Sequence, residues 1–177
     1  AWGVSVQSIN VPLIDMALAF APLAIALTVF GAAGVTNAFN LIDGLNGLAG
    51  FIALSTALAL ATIAQQFGIY NLQAVLWMLS AAVFGFLIFN FPFGKIFLGD
   101  GGAYTLGHTL VWIAIALTNL VPDISAFAIL LIFFWPVADT LLSIWRRRTK
   151  GLKADQLTRH HFHQLVLRYI EIRFFGR

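Results

Sequence analysis

The sequence has no cysteine and few charges, and both absences narrow the class of protein. Among its 177 residues none is Cys, only 10% are charged, and 60% are hydrophobic. Without thiols the chain forms neither disulfide bonds nor thiolate metal sites, although this does not fix its compartment. The low charge and a mean hydropathy of +0.91 exclude an ordinary soluble domain. The sequence therefore predicts an integral membrane protein.

The sequence contains several long apolar runs. Hydrocarbon about 30 Å thick needs roughly 20 apolar residues per helix. Such runs lie at 12–36, 48–67, 73–90, 103–121 and 124–145. They are continuous rather than alternating, which favours helices over barrel strands. The predicted fold is all-α, a polytopic transmembrane helix bundle of about five spans that forms a single integral-membrane domain over residues 1–177.

Basic residues are missing from the first half of the chain. No Lys or Arg precedes Lys95, and the turns near 68–72 and 119–123 carry none. The positive-inside rule then places Lys95 and the later cations on the cytoplasmic side. The net charge of +3 is explained by this topology, with anionic lipid or phosphate as further partners. Nucleic acid is not expected to bind.

Three polar motifs interrupt the apolar chain. Their sequences are NAFNLIDGLNGL at 37–48, KIFLGDGG at 95–102 and RRRTKGLKADQLTRHHFH at 146–163. Two predicted spans separate each motif from the next, and two crossings return a chain to the side it left. We therefore expect the loops 37–47, 91–102 and 146–163 to share one side and to build one site.

The first motif repeats a polar side chain every three residues at a helix end. Asn37, Asn40, Asp43 and Asn46 have this spacing, which places neighbouring members near one helical face. Asn and Gly also favour helix C-caps and turns, so a purely structural interpretation stays open. Four evenly spaced polar groups exceed what a cap requires, and a carboxylate at a membrane border indicates a partner.

The second motif places Asp100 and two glycines directly before the fourth span. A helix N-terminus attracts anions through free N–H groups and its dipole, and glycine lets phosphate approach the backbone. A carboxylate at this point would repel phosphate unless a cation joined the two. Mg²⁺ takes oxygen ligands and commonly joins carboxylates to substrate phosphates. The alternative is that Asp100 is a plain N-cap.

The third motif combines cations with histidines. Its basic residues would anchor the helix end at anionic headgroups, and Asp139, seven residues before Arg146, is predicted to pair with it. His160, His161 and His163 follow and could contact phosphate or handle a proton. Two alternatives remain, namely solvated loop histidines without a role and a zinc site that uses His161 and His163.

Several catalytic motifs are absent as well. The chain has no G-x-x-x-x-G-K-[ST] loop, no G-x-S-x-G elbow and no H-E-x-x-H helix, which removes support for nucleotide hydrolysis, esterase and zincin activities. The combined site is acidic, rich in amides and flanked by cations. It suits a diphosphate that is handled with magnesium beside a membrane.

Together NAFNLIDGLNGL, NFPFGKIFLGDGG and RHHFHQL resemble the motifs of the polyprenyl-phosphate N-acetylhexosamine-1-phosphate transferases. This family includes the phospho-N-acetylmuramoyl-pentapeptide translocase and the GlcNAc-1-phosphate transferases that start O-antigen and teichoic acid synthesis. The resemblance implies a bacterial inner-membrane enzyme of cell-envelope (cell wall, lipopolysaccharide) synthesis with cytoplasmic motifs. A UDP-N-acetylhexosamine would pass its sugar-1-phosphate to undecaprenyl phosphate and release UMP. Mg²⁺ is the implied cofactor, with Mn²⁺ as an alternative.

The resemblance also implies roles for individual residues. Asp100 matches the family's metal ligand, Asp43 matches a catalytic position, and His161 and His163 match its catalytic histidine cluster. The positions implied to bind substrate are Asn40, Gly44, Leu45, Asn46, Asn90, Phe97 and Arg159. Among these, Phe97 would stack on the uracil, Asn90 would line the nucleoside pocket, and Arg159 would contact the diphosphate.

One family feature is missing from the chain. The family carries an adjacent aspartate pair on an earlier inner loop, and this sequence has no Asp-Asp. We therefore expect a fragment that lacks the N-terminal spans and the last span and is inactive by itself. A homodimer stays an open option. The alternatives are an ion- or proton-coupled transporter that uses Asp43, Asp100 and Asp139, and a noncatalytic fragment of the transferase.

Overall fold

Residues 5–149 are described by the computed structural model, apart from the side chain of Arg147, and within this range the protein has seven helices and no strand. The helices are α1 (Pro12–Leu18), α2 (Ala21–Ile42), α3 (Leu48–Gln66), α4 (Tyr70–Asn90), α5 (Gly99–Leu120), α6 (Ala126–Ile132) and α7 (Phe134–Thr149). The predicted all-α class is confirmed.

The helices α2, α3, α4 and α5 are each long and apolar enough to cross a membrane. A fifth crossing arises if α6 and the following helix, bent by 78° at the break between them, count as one span. This count agrees with the prediction of about five spans. Large apolar side chains such as Met78 and Phe84 on α4 are exposed, as a lipid-facing surface requires.

Two predicted spans are interrupted in the structure. The run 12–36 is divided near Phe20, and α2 then continues to Ile42, so Asn37 and Asn40 belong to a helix rather than to a loop. The run 124–145 is divided at Phe133. A proline follows each break, Pro22 in the first turn of α2 and Pro136 in the first turn of α7. Proline has no backbone N–H to donate to the preceding turn, and its ring clashes with the carbonyl group four residues earlier. Each preceding helix therefore ends before the proline.

Small residues set the spacing between the spans. The core-facing side of α3 is a row of buried alanines, Ala49, Ala53, Ala57, Ala61 and Ala64. Where α3 meets α4, a methyl group added to Gly50 would lie 2.6 Å from the Leu87 side chain. Where α5 meets α2, a methyl group added to Gly107 would lie 2.9 Å from Phe39 Cβ and 3.1 Å from Thr36 Cα. Close packing of this kind is the main attraction between helices in lipid.

The Gly107→Ala substitution is expected to destabilise the helix bundle by about 1 to 3 kcal/mol, the usual effect of overpacking. The new methyl group meets the backbone of α2, so α5 must move away from it. Gly85→Ala on α4 is the matched control, because nothing lies within 4 Å of its added methyl group. Unfolding of both variants by a denaturing detergent checks this. Equal stabilities of the two variants would contradict the close approach of α2 and α5.

Candidate functional site

The first two motifs meet at one end of the bundle. The Asn46 amide Nδ2 donates to the carbonyl of Pro92 at 3.2 Å, and the Gly47 N–H donates to Asn90 Oδ1. A methyl group added to Gly94 would lie 2.7 Å from Asn46 Nδ2, so the chain segments are in contact there. These contacts show that the two motifs lie side by side, and their predicted joint function stays a prediction.

Asn90 connects the turn after α2 to the loop before α5. Its side chain is 5% exposed. One end of the amide accepts the Gly47 N–H, and the other end, Nδ2, donates to the carbonyl of Ile96 at 2.8 Å. Because both polar atoms bind backbone, the structure gives Asn90 a positioning role between the motifs. Its predicted contact with a nucleoside stays a prediction.

The Asn90→Leu substitution is expected to destabilise the fold by about 1 to 3 kcal/mol. Leucine has a similar volume, but it leaves a backbone donor at Gly47 and an acceptor at Ile96 without partners in a buried place. Asn119→Leu is the control. Asn119 also donates to a backbone carbonyl, that of Ser5, but its side chain is only half-buried. It lies at the C-terminal end of α5, far from the two motifs. Detergent-induced unfolding that is unchanged for Asn90→Leu would contradict the positioning role.

Asp43 and Asp100 each place one carboxylate at the motif end of the bundle. Asp43 ends α2, where its N–H donates to the Asn40 carbonyl at 3.3 Å, and Asp100 lies in the first turn of α5. The pKa of Asp43 is raised above its ordinary value, first by burial and second by the nearby negative charge of Asp100. The N-cap position of α5 belongs to Leu98, without a side-chain cap. Asp100 is therefore not the N-cap residue that the alternative interpretation required.

Asn40 is oriented by a residue that sequence reasoning missed. Its Nδ2 donates to the hydroxyl oxygen of Tyr104 at 3.2 Å, which links α2 to α5. Tyr104 follows Asp100 by four residues, so both side chains lie on one face of α5. That spacing was the available signal. The hydrogen bond leaves the Asn40 Oδ1 atom to accept from another partner.

The remaining predicted positions line the same end of the bundle. Gly44 and Asn46 are exposed, Leu45 is half-buried, and Gly47 has a φ of +86°, which turns the chain into α3. Phe97 is 77% exposed on the loop before α5. A ring this exposed is available to stack against a flat ligand.

Most of the third motif lies outside the described residues. This holds for Arg159, His160, His161 and His163, whose predicted roles therefore stay predictions. Asp139 is 3% exposed on α7, and Arg146 Nε donates to the Leu142 carbonyl at 3.3 Å. The predicted pairing of Asp139 with Arg146 is likewise untested.

The oxygen donors at this end fit a hard divalent cation. Within residues 5–149 there is no group of three or more His, Cys, Asp or Glu side chains that could hold a metal ion. Asp43 and Asp100 each supply one carboxylate at this end of the bundle, and Asn40 lies in the last turn of α2 beside Tyr104 of α5. Mg²⁺ is commonly bound by one or two carboxylates, with waters and substrate phosphates as the other ligands.

The sequence of this chain is similar to those of known proteins. The sequence model of a family described as glycosyl transferase family 4 matches residues 1–118. The chain is 29% identical over 170 residues to a probable undecaprenyl-phosphate N-acetylglucosaminyl 1-phosphate transferase of Bacillus subtilis (strain 168). It is 30% identical over 152 residues to the undecaprenyl-phosphate alpha-N-acetylglucosaminyl 1-phosphate transferase of Escherichia coli (strain K12).

These matches cover most of the chain but a smaller share of the relatives. The Bacillus subtilis match includes 94% of this chain and 47% of that protein. The Escherichia coli match includes 83% of this chain and 41% of that protein. The chain thus spans less than half the length of the curated relatives it matches.

Proposed function

The chain belongs to glycosyl transferase family 4, the family of the polyprenyl-phosphate N-acetylhexosamine-1-phosphate transferases, and from this premise we propose that the full-length protein carries out that reaction. It transfers an N-acetylhexosamine-1-phosphate from a UDP-sugar to undecaprenyl phosphate and releases UMP. The observation that carries the proposal is that two separate motifs, each with one aspartate, meet at one end of a membrane bundle through the hydrogen bonds of Asn40, Asn46 and Asn90. The motif end is assigned to the cytoplasmic side of a bacterial plasma membrane.

Donor binding is assigned to the turn after α2 and the loop before α5. The exposed Phe97 ring would stack on the uracil, and the turn Gly44–Leu45–Asn46 would contact the nucleoside. The hydrogen bonds of Asn46 and Asn90 hold this turn against the loop. A nucleoside that touches both segments therefore meets a surface whose parts are already fixed, which lowers the entropy lost on binding.

Asp100 is assigned as the metal ligand, with Asn40 and Asp43 near the same ion. When bound, Mg²⁺ would neutralise diphosphate charge and align the reacting oxygens. Asp43 would accept the proton of the acceptor's phosphate. In the metal-free protein, burial and the charge of Asp100 raise the pKa of Asp43. His161, His163 and Arg159 would contact the diphosphate oxygens.

The bond changes of the reaction follow from the named substrates. An oxygen of undecaprenyl phosphate forms a bond to the phosphorus that carries the sugar. The bond from that phosphorus to the oxygen bridging the two phosphates breaks, and UMP leaves with the bridging oxygen. The lipid then carries a diphosphate sugar.

A transporter that uses Asp43, Asp100 and Asp139 is the other candidate, and the positions of the first two favour the transferase over it. Asp43 follows the last residue of α2, and Asp100 is the second residue of α5. Both lie at span ends, whereas the substrate sites of alternating-access transporters lie near the membrane midplane.

The proposed activity is tested with the full-length protein in lipid nanodiscs that contain undecaprenyl phosphate and Mg²⁺. Radiolabelled UDP-GlcNAc and a panel of other UDP-amino sugars are supplied, and the lipid fraction is extracted. We expect a labelled lipid-linked sugar from at least one donor, and none when undecaprenyl phosphate is omitted. If no donor labels the lipid while the bundle remains folded, the protein is a noncatalytic member of its family.

A further inference from the structure

The loop between α4 and α5 exposes large apolar side chains at the motif end of the bundle. Phe93 is 81% exposed, and Phe91 and Ile96 are exposed as well. Lys95, which lies between Phe93 and Ile96 in the chain, is also exposed. An exposed apolar surface with a charge at its border is typical of a contact with another molecule or with a membrane.

The backbone holds the loop in a defined turn directly after Phe93. The Gly94 N–H donates to the Asn90 carbonyl at 2.7 Å, and the Lys95 N–H donates to the Phe89 carbonyl at 3.0 Å. These two hydrogen bonds return the chain to the end of α4. The outward position of the Phe93 ring is therefore a property of this turn.

The exposed face of α4 leads directly to the loop. Phe84, Ile88 and Phe89 lie in the half of α4 near the motif end, and each is more than half exposed. They contact lipid, because α4 is long and apolar enough to cross a membrane. Asn90 has the only polar side chain between Phe89 and Phe93, and it is buried. The lipid-facing surface of α4 thus continues onto the loop without an exposed polar side chain.

Lys95 lies where acyl chains give way to headgroups. It follows the end of α4 by five residues, and no acidic residue occurs between Asn90 and Asp100. A lysine beside a span end can keep its alkyl stem on apolar surface and its ammonium group among anionic headgroups. We propose that the 91–96 loop docks on the membrane surface at the motif end, with Phe93 among the acyl chains and Lys95 on the phosphate of an anionic phospholipid.

The 91–96 loop is joined to both parts of the candidate site. Phe97 follows it directly, and Asn90, which precedes it, accepts the N–H of Gly47 in the turn after α2. A loop that lipid holds in place therefore limits the movement of the Phe97 ring and of that turn. The effect on nucleoside binding rests on the proposed function, whereas docking of the loop itself does not.

The position of the loop is measured in the full-length protein with one nitroxide label. The chain has no cysteine, and any cysteine outside residues 1–177 is replaced by serine. The label is attached at Phe93→Cys, at Ala81→Cys on the exposed face of α4, or at Asp123→Cys in the exposed segment after α5. Bilayers contain phosphatidylcholine alone or an equimolar mixture with phosphatidylglycerol. A water-soluble nickel chelate then broadens the spectra of labels that contact water.

We expect the label at position 93 to resist broadening in the mixed bilayers, as the label at 81 does, whereas the label at 123 is broadened. Phosphatidylglycerol should raise the ratio of embedded to water-exposed label at 93 about fivefold at low salt, the change expected for one lysine near an anionic surface. Lys95→Gln should remove this response, and Arg148→Gln on α7 should keep it. An unchanged spectrum of the label at 81 shows that both variants remain folded.

Four outcomes would overturn the proposal. A label at 93 that is broadened as fully as the label at 123 in both bilayers would place the loop in water. Equal populations with and without phosphatidylglycerol would exclude the anionic headgroup as the partner. Loss of the response in Arg148→Gln as well would assign it to the overall charge of the protein. Dipolar broadening between labels at 93 would make a second copy of the chain the occupant.

Discussion

Asp100→Asn is expected to lower the rate of lipid-linked sugar formation by about a thousandfold in the full-length protein. Asparagine keeps the size of the side chain but loses the charge that the account assigns to the metal. Charge stabilisation by a metal contributes several kcal/mol to a transition state, and about 1.4 kcal/mol changes a rate tenfold. The rate is measured as labelled lipid formed from a UDP-amino sugar at saturating Mg²⁺.

Asp123→Asn is the matched control for this substitution. Asp123 is exposed in the segment between α5 and α6, near the opposite end of α5 from Asp100. Wild-type rates are expected from this control. An Asp100→Asn protein that retains the wild-type rate and the wild-type dependence on Mg²⁺ would remove Asp100 from the metal role.

Asp43→Asn is expected to lower the same rate about a hundredfold or more, the usual range for removal of a general base, while it raises the stability of the metal-free protein at neutral pH. The raised pKa of Asp43 means that the fold disfavours its carboxylate, through burial and through the Asp100 charge. A neutral amide removes this unfavourable ionisation. Detergent-induced unfolding in EDTA measures the stability, with Asp123→Asn again as the control.

The pH dependence of the stability gain has a defined sign. The pKa of Asp43 is higher in the folded protein than its ordinary value of 3.8, so the folded state holds this proton more tightly than the unfolded state. Its contribution is therefore fully present below pH 3.8 and is lost as the pH rises through the folded pKa. The stability difference between Asp43→Asn and wild type should widen over that rise. A difference that is constant with pH would contradict the raised pKa.

Features that depend on composition and spacing along the chain could be predicted from the sequence. The apolar runs predicted the spans because lipid requires about 20 apolar residues per crossing. The even number of crossings between Asp43 and Asp100 predicted that they share a side, and the structure places both at the same end of the bundle. The length of an apolar run and the number of crossings between two residues are read directly from the order of residues. Neither depends on how the helices pack.

Features that depend on packing could not be predicted. Pro136 indicated a disturbance in the last span, but the bend of 78° depends on what the two halves pack against. The hydrogen bonds of the Asn90 amide to the backbone of Gly47 and Ile96 were not predicted. Its partners are 43 and six residues away, and no local pattern in the sequence relates them.

The nucleotide released by the full-length protein distinguishes transfer of a sugar-1-phosphate from transfer of the sugar alone. Membranes are given undecaprenyl phosphate, Mg²⁺ and the UDP-amino sugar that labels the lipid, and the soluble products are separated to distinguish UMP from UDP. Transfer of a sugar-1-phosphate breaks the diphosphate and releases UMP, in amounts that match the lipid product. Release of UDP in its place would mean that the sugar alone is transferred, and that result would contradict the account.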